Sequence, residues 1–348
     1  MNIKRLWIYH FFHIKMRRST AIFIFLGLST LLLFMLDILT GDSVLSAGQV
    51  WGVFTGSETD TITRNIVLNI RLVRVAVAML VGIALAVSGL QMQTVFQNPL
   101  AEPYLLGVSS GSGLGVAIFI LGAPLFGLSF SGFWQSLGIV GAGWCGAAAI
   151  LVVVAVISRS VKNILGVLIM GVMIGYITGA IIQILQYLSS AEQLKIFFLW
   201  SMGSLGHVTI TKLMIMTPVV FLGLLLAVVS IKALNLLLLG ENYAQTMGLN
   251  IRRARMLIFV STTLLAGTVT AFCGPVGFLG LAVPHIARLI FNDADHRILL
   301  PGSVLLGIVC MLLCDIVAKK LVLPINCITA LLGIPVILWV VYKNLRSA

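Results

Sequence analysis

Residues 103–158 read PYLLGVSSGSGLGVAIFILGAPLFGLSFSGFWQSLGIVGAGWCGAAAILVVVAVIS, and none of these 56 residues is Asp, Glu, Lys or Arg. A soluble globular domain carries roughly a quarter of its residues as charges. An uncharged run of this length is too long to be covered within one soluble core. The sequence therefore predicts that the solvent around most of this chain is lipid.

Further charge-free runs occur at 75–101, 163–191, 256–287 and 321–342, and the whole chain is 60% hydrophobic with a mean hydropathy of +1.13. A transmembrane helix needs about 20 apolar residues, whereas a lipid-facing barrel strand would alternate apolar and polar positions. We therefore predict an all-α polytopic membrane protein with about ten transmembrane helices. The candidate spans are 21–39, 72–95, 104–122, 136–157, 164–187, 213–231, 256–272, 278–292, 302–318 and 325–342.

The net charge of +12 is distributed unequally between the two sides of these spans. With the N-terminus inside, fifteen basic residues fall on the cytoplasmic side and seven on the other, as the positive-inside rule requires. We expect both termini in the cytoplasm, a cytoplasmic segment over 1–20, a membrane domain over 21–348, and no nucleic-acid partner. A cleaved signal peptide is the alternative for the first span, disfavoured by its length and by the lack of a small-residue cleavage site.

No energy-converting or cofactor chemistry is visible in the chain. The glycine-rich stretch 109–115 lacks the Lys-Ser/Thr end of a phosphate loop. Gly107, Gly111 and Gly115 instead predict close helix packing. Cys310 and Cys314 share a helix face, but with no histidine or carboxylate at ligand spacing, packing is favoured over a metal site. We expect no catalytic residue, metal or cofactor in this chain.

Several sequence blocks carry a family resemblance: RLVR at 71–74, NPLAEP at 98–103, LGVSSG at 106–111, GPVGFLGLAVPHIAR at 274–288 and TALLGIP at 329–335. In their order and spacing they resemble the FecCD/BtuC-type permeases of ABC importers, from about residue 40 to the end. The family imports iron chelates, haem and cobalamin. The chain departs from its pattern at Pro324-Ile325-Asn326, where the family usually has glycine after the proline, and at Lys319, where it usually has arginine.

The resemblance implies an assembly in the bacterial cytoplasmic membrane. A second permease subunit, expected to be an identical copy, pairs with this chain, and two cytoplasmic ATPase subunits bind ATP and Mg. A periplasmic or lipid-anchored substrate-binding protein delivers the substrate. In the family, basic residues matching Arg71, Arg74 and Lys319 receive acidic side chains of that protein. From position alone, Arg71 and Arg74 could equally extend to lipid head groups.

The segment 232–256 is the expected cytoplasmic coupling loop. Within it, Gly240 and Gly248 bracket a short helix whose first turn contains Glu241, a charge that suits a helix N-terminus. The resemblance identifies this helix as the one that docks into the ATPase, with Glu241 and Ala244 as contacts. An ordinary interfacial connector is the alternative.

The fifth predicted span carries a polar and aromatic stripe at helical spacing, formed by Tyr176, Ala180, Gln183 and Tyr187. We interpret it as lining the translocation pathway, in keeping with the family's use of this span at its dimer interface. Hydrogen bonding of Gln183 between helices is the alternative. Asn163, Ile164 and Leu165, just before this span, align with the family's cytoplasmic gate.

The expected function is therefore that of an ABC importer permease for an iron chelate, either a ferric siderophore or haem, with cobalamin as the alternative substrate. A stand-alone secondary transporter is less favoured. Such a carrier would normally place an ionisable pair at the membrane midplane, whereas the acidic residues here fall in loops or near span ends.

Overall fold

A computed structural model describes residues 3–41, 43, 45–57, 60–128, 130–160 and 164–347, with side chains from residue 18 onward at most of these positions. Throughout these ranges the regular structure is helical, without a strand. The helices are α1 Ile3–Leu39, α2 Ala47–Thr55, α3 Thr61–Val95, α4 Val108–Phe126, α5 Gly132–Ser160, α6 Ile164–Leu188, α7 Ala191–Ser201, α8 Ile210–Val229, α9 Ile231–Leu237, α10 Glu241–Thr246, α11 Ile251–Cys273, α12 Leu279–Phe291, α13 His296–Leu321 and α14 Ile325–Ser347.

Eight helices in the described part of the chain are long and apolar enough to cross a membrane, namely α1 from Arg18 onward, α3, α4, α5, α6, α8, α11 and α13. Two shorter apolar helices, α12 and the Ile325–Trp339 part of α14, fall where the eighth and tenth spans were predicted. The all-α membrane fold is thus confirmed. The predicted boundary after residue 20 falls inside α1, which continues through it.

The helix ends differ from the predicted spans where a capping residue extends the helix beyond its apolar stretch. Helix α3 begins at Thr61 rather than at 72, because the Asp60 carboxylate accepts hydrogen bonds from the backbone N–H groups of Ile62 and Thr63. Asp295 likewise accepts from the N–H of Arg297 and starts α13 at His296 rather than at 302. Polar first turns of this kind are invisible to a hydropathy pattern.

Helix α3 forms the centre of the molecule and packs against α8, α11, α12 and α13. Two glycine contacts set its distance from its neighbours. A Cβ on Gly82 would lie 2.3 Å from the carbonyl oxygen of Gly307 in α13, and a Cβ on Gly89 would lie 1.9 Å from that of Gly280 in α12. Backbones this close exclude any side chain, which explains glycine at these positions.

Helices α4 and α5 meet through the glycine ridge that the sequence predicts. A Cβ on Gly115 would lie 2.0 Å from the carbonyl oxygen of Ala142, and one on Gly111 would lie 2.6 Å from that of Gly146. The interpretation of this stretch as a packing surface rather than a phosphate loop is therefore confirmed.

The two irregular segments that flank α4 and α12 bind each other. The Tyr104 hydroxyl accepts from the N–H of Val276 at 2.7 Å and donates to the carbonyl oxygen of the same residue. The N–H of Gly277 donates to Asn326 Oδ1 at 3.0 Å. Asn326 belongs to the stretch that departs from the family pattern, and its amide holds the break between α11 and α12 against the start of α14.

Candidate functional site

Two ends of the helical bundle carry the candidate functional residues. The Glu241 end contains Val95, Gly240 and His296, and the Arg74 end contains Leu39, Thr61 and Leu321. Long-range hydrogen bonds tie the elements within each end, from Thr94 to His296 at the first and from Lys319 to Asp37 at the second.

At the Glu241 end, α10 is the short helix bracketed by glycines that the sequence predicts. Gly240 and Gly248 adopt φ values of +93° and +86°, a backbone region that side chains disfavour. Glu241 forms an ion pair with Arg255 of α11, whose side chain is buried. The ion pair attaches α10 to a candidate membrane span, so a displacement of α10 would be transmitted to α11.

Ala244 does not lie on the outer surface of α10, and its predicted role as a direct contact requires correction. The residue is fully buried and belongs to a hydrophobic cluster that includes Leu234, Leu237 and Ile251. Ala244 is the buried residue of the segment 242–247, whose other members are all exposed. The large exposed side chains are those of Tyr243 and of Met247, which follows the helix directly.

A polar network beneath α9 and α10 was not predicted from the sequence. Asn235 Oδ1 accepts from the backbone N–H of His296 and contacts His296 Nδ1 at 2.7 Å, while the Asn235 amide donates to Asp295. On its other side His296 Nε2 lies 2.9 Å from the Thr94 hydroxyl. Asn235 and His296 are 61 residues apart in the chain, so no local sequence pattern indicates that they meet.

Beside this network a cavity of about 470 Å³ opens at the Glu241 end. Arg288 of α12 lines it and donates to the side-chain oxygen of Gln93 on α3. In the segment between α3 and α4, the Glu102 carboxylate accepts a hydrogen bond from the backbone N–H of Phe278, and burial raises the pKa of this carboxyl to about 7. Polar side chains thus connect the central helix to the segments around the coupling loop.

At the Arg74 end, four charged side chains join α1, α3 and α13. Lys319 Nζ lies 2.6 Å from Asp37 Oδ1 and 3.0 Å from Asp315 Oδ2. Arg74 Nη2 donates to Asp315 Oδ1 at 2.8 Å. Both carboxylates are fully buried, so the cluster links three helices from within.

The prediction that Arg71, Arg74 and Lys319 form an exposed docking rim is wrong for two of its members. Lys319 is buried with Asp37 and Asp315. Arg71 is buried as well and donates to the carbonyl oxygens of Ile38 and Leu39, which close α1. Their partners lie far away in sequence, which is why the basic spacing alone suggested a rim. Arg74 remains about a quarter exposed and alone of the three can reach a partner.

The predicted stripe on α6 lies on an exposed face of the described chain. Tyr176 and Tyr187 are 71% and 89% exposed, and Ala180 and Gln183 are exposed with them. Gln183 makes no hydrogen bond to another described residue, so the alternative of a bond between helices of one chain is not supported. The stripe faces away from the core of this chain, as a pathway or a subunit interface requires.

The predicted gate is only partly described. Asn163 lies outside the described residues, whereas Ile164 and Leu165 form the first turn of α6. Ile164 packs against the buried cluster beneath the coupling segment, and Leu165 is exposed. The residues that the structure describes include no group of three or more His, Cys, Asp or Glu side chains placed to hold a metal ion.

The sequence and the fold both match known transport proteins. A family model described as the FecCD transport family matches residues 29–343. The hemin transport system permease protein HmuU of Yersinia pestis is 38% identical, over 86% of this chain and 89% of its own length. The vitamin B12 import system permease protein BtuC of Salmonella typhimurium is 35% identical, over 95% of this chain and 98% of its own length.

A solved structure described as an inward-facing conformation of a metal-chelate type ABC transporter superposes with a TM-score of 0.80 at 31% identity, covering 93% of this chain and 99% of its own. These matches span nearly the whole length of the chain and agree with the helical order described above. The chain therefore belongs to the FecCD transport family, whose members are membrane permease subunits of ABC importers.

Proposed function

We propose that this permease carries an iron chelate, either haem or a ferric siderophore, across the bacterial inner membrane. The Glu241 end would face the cytoplasm with both termini, and the Arg74 end would face the substrate-binding protein. The charge asymmetry of the loops supports this orientation.

The observation that carries the mechanism is the attachment of α10 to α11. In an importer of this kind ATP hydrolysis belongs to two separate ATPase subunits, which bind ATP and Mg. Their closure would displace α10 through its exposed Tyr243 and Met247, and the Glu241–Arg255 ion pair would transmit that movement to α11. A short helix held in this way moves as a rigid body.

The iron chelate is favoured over cobalamin on two comparisons. One relative is a haem permease, and the similar solved structure is of metal-chelate type. The vitamin B12 permease has almost the same identity, so cobalamin is the second candidate. A substrate-binding protein would make the selection, and this chain would supply the pathway together with a second, identical copy.

Transport by the reconstituted complex tests the proposal. The permease, its ATPase and its binding protein would be placed in proteoliposomes with radiolabelled haem, ferric siderophore or cobalamin. We expect ATP-dependent accumulation of an iron chelate that requires the binding protein. Accumulation of cobalamin alone would refute the substrate assignment. Uptake that needs an ion gradient and proceeds without the ATPase would instead indicate a secondary transporter.

A further inference from the structure

The cavity of about 470 Å³ at the Glu241 end lies between the end of α3, the segment that precedes α10, and α12. It opens beside Gly240, where the short helix α10 begins, but no residue of α10 itself lines it. Among the residues that line the cavity, only Arg288 of α12 is charged. The cavity is therefore a neighbour of the coupling helix with a single cation in its wall.

Arg288 has no carboxylate partner within the part of the chain that the structure describes. Its guanidinium is half-buried and donates to one described acceptor, the neutral side-chain oxygen of Gln93. None of its nitrogens lies within 4.0 Å of a described carboxylate oxygen, whereas Arg74 is bound to Asp315 and Arg255 to Glu241. A partly desolvated cation is stabilised by an anion, so Arg288 is suited to bind a carboxylate from another protein.

Gln93 holds the Arg288 guanidinium in position. The Gln93 amide donates to the carbonyl oxygen of Leu281 in α12 at 3.2 Å, and its side-chain oxygen accepts from Arg288 Nη1. Only 4% of Gln93 is exposed, so this arrangement lies beneath the cavity rather than in solvent. A cation that is fixed before its partner arrives loses little conformational freedom on binding.

The rim of the cavity is apolar and lies outside the candidate membrane spans. Leu238 and Leu239 are 42% and 59% exposed, in the segment between the spans that end at Val229 and begin at Ile251. The exposed Tyr243 and Met247 belong to the same segment. Apolar side chains around a partly buried arginine are typical of a protein interface. The cavity therefore extends the surface that we assign to the ATPase.

We propose that the ATPase subunit inserts an aspartate or glutamate side chain into this cavity and binds Arg288, while the surrounding ATPase surface covers Leu238 and Leu239. This inference rests on the proposed function, which supplies the ATPase as the partner. The contact acts on different helices from the contact at α10. A displacement of α10 reaches α11 through Arg255, whereas a displacement of Arg288 moves α12 directly and α3 through Gln93.

Binding of the purified ATPase to the permease in nanodiscs, measured by biolayer interferometry, tests the contact. The nanodiscs contain phosphatidylcholine alone, so that no anionic lipid can replace the carboxylate. Arg288→Met should weaken ATPase binding about tenfold or more, because a charge-assisted hydrogen bond is lost. Arg64→Met removes an exposed arginine at the Arg74 end and should leave the affinity unchanged.

Leu239 provides a test that leaves Arg288 in place. Aspartate and lysine at this exposed position introduce charges of opposite sign. Beside an acidic side chain of the ATPase, Leu239→Asp should weaken binding several-fold more than Leu239→Lys, because like charges repel. Neither change should alter thermal stability, since the side chain is exposed. Equal weakening by the two variants would show that the contact is apolar and that no carboxylate lies there.

Charge reversal identifies the ATPase residue. Arg288→Glu should abolish detectable binding, and each exposed aspartate or glutamate of the ATPase would then be replaced in turn by lysine. We expect one of these ATPase variants to restore binding to Arg288→Glu and to bind the wild-type permease more weakly. If none does so while Arg288→Glu unfolds at the wild-type temperature, the proposal is wrong.

The remaining outcomes separate this proposal from its alternatives. Wild-type affinity of a folded Arg288→Met protein would overturn it. A defect of Arg288→Met that appears only when the nanodiscs contain phosphatidylglycerol would also overturn it and would assign the cavity to a lipid head group. If Arg288→Met fails to fold, the two Leu239 variants decide. Failure of the wild-type permease to bind the ATPase would instead refute the proposed function itself.

Discussion

Glu241 and Ala244 lie three residues apart on α10 and have different tasks. Glu241 is bound to Arg255 and fixes the helix to α11, whereas Ala244 fills the space beneath it. The outer surface of the helix consists instead of side chains such as Tyr243 and Met247. We therefore expect substitutions to separate contact with a partner from positioning of the helix.

Tyr243→Arg and Ala244→Arg should differ in what they impair. We expect Tyr243→Arg to weaken co-purification with the ATPase and to abolish coupled transport without altering thermal stability, because only an exposed side chain changes. Ala244→Arg should lower the free energy of unfolding by about 1 to 3 kcal/mol or more, since a long side chain overfills a packed site. Thermal denaturation and ATPase pull-down check both. A stable Ala244→Arg protein would show that the buried placement is wrong.

The Glu241–Arg255 ion pair can be tested by exchanging its charges. Glu241→Arg should impair coupled transport and destabilise the coupling segment by about 1 to 3 kcal/mol, because the ion pair is lost and the buried Arg255 meets a like charge. The double variant Glu241→Arg with Arg255→Glu should recover part of the coupled transport and part of the lost stability. Transport in proteoliposomes and hydrogen exchange over 240–255 are the measurements. If the double variant is no better than the sum of the single variants, the pair does not connect the two helices.

Glycines set the spacing of the elements around α3, and their contacts differ enough to predict single substitutions. Gly82→Ala would place a methyl group against the backbone of Gly307, so we expect a loss of stability of about 1 to 3 kcal/mol. Gly27→Ala on α1 meets no atom within 4 Å and should be neutral or slightly stabilising through helix propensity. Thermal unfolding in detergent compares the two. If the two variants unfold at the same temperature, α3 and α13 are farther apart than described.

The charge cluster at the Arg74 end connects α1 to α3 and α13. Its loss should therefore weaken the packing of all three helices and lower the stability of the protein. Lys319→Met would leave Asp37 and Asp315 buried without their shared cation, a change that typically costs about 3 to 5 kcal/mol. Lys320→Met, one residue further on and exposed, should have no measurable effect. Thermal unfolding of the two variants and the wild type provides the comparison. If Lys319→Met is nearly as stable as the wild type, Lys319 is not held in a buried ion pair and is available for the predicted docking role.

The spans could be predicted from sequence because apolarity over about 20 residues is a local property. The pairing of charged side chains near the helix ends could not be predicted in this way. Lys319 and Asp37 are separated by 282 residues, and nothing in either neighbourhood indicates that they pair. The sequence also did not predict which residues of α10 face inward, because six residues are too few for a clear helical periodicity. Local patterns therefore predicted the helices, while the facing of individual side chains depended on tertiary contacts.

At the scale of the whole molecule, we expect a second copy of the chain to pack against the exposed stripe on α6. Tyr176 and Tyr187 are large, amphipathic and exposed, and the polar Gln183 lies between them without a partner within the described chain. A polar side chain in a membrane-spanning helix is unfavourable against lipid. A second permease subunit, or a water-filled pathway between two subunits, would provide the polar surroundings that Gln183 requires.

A twofold pair of identical subunits brings residues near its axis close to their own copies, which makes the interface accessible to cross-linking. We expect Tyr187→Cys, in a background where the exposed Cys145 and Cys327 are replaced by serine, to form a covalent dimer on mild oxidation in membranes. Phe221→Cys, exposed on α8, is the matched control and should remain monomeric on a denaturing gel. Tyr176→Cys samples the same stripe three turns away. A dimer formed equally well through Phe221→Cys, or through neither α6 position while mass photometry still shows dimers, would place the subunit interface on another face.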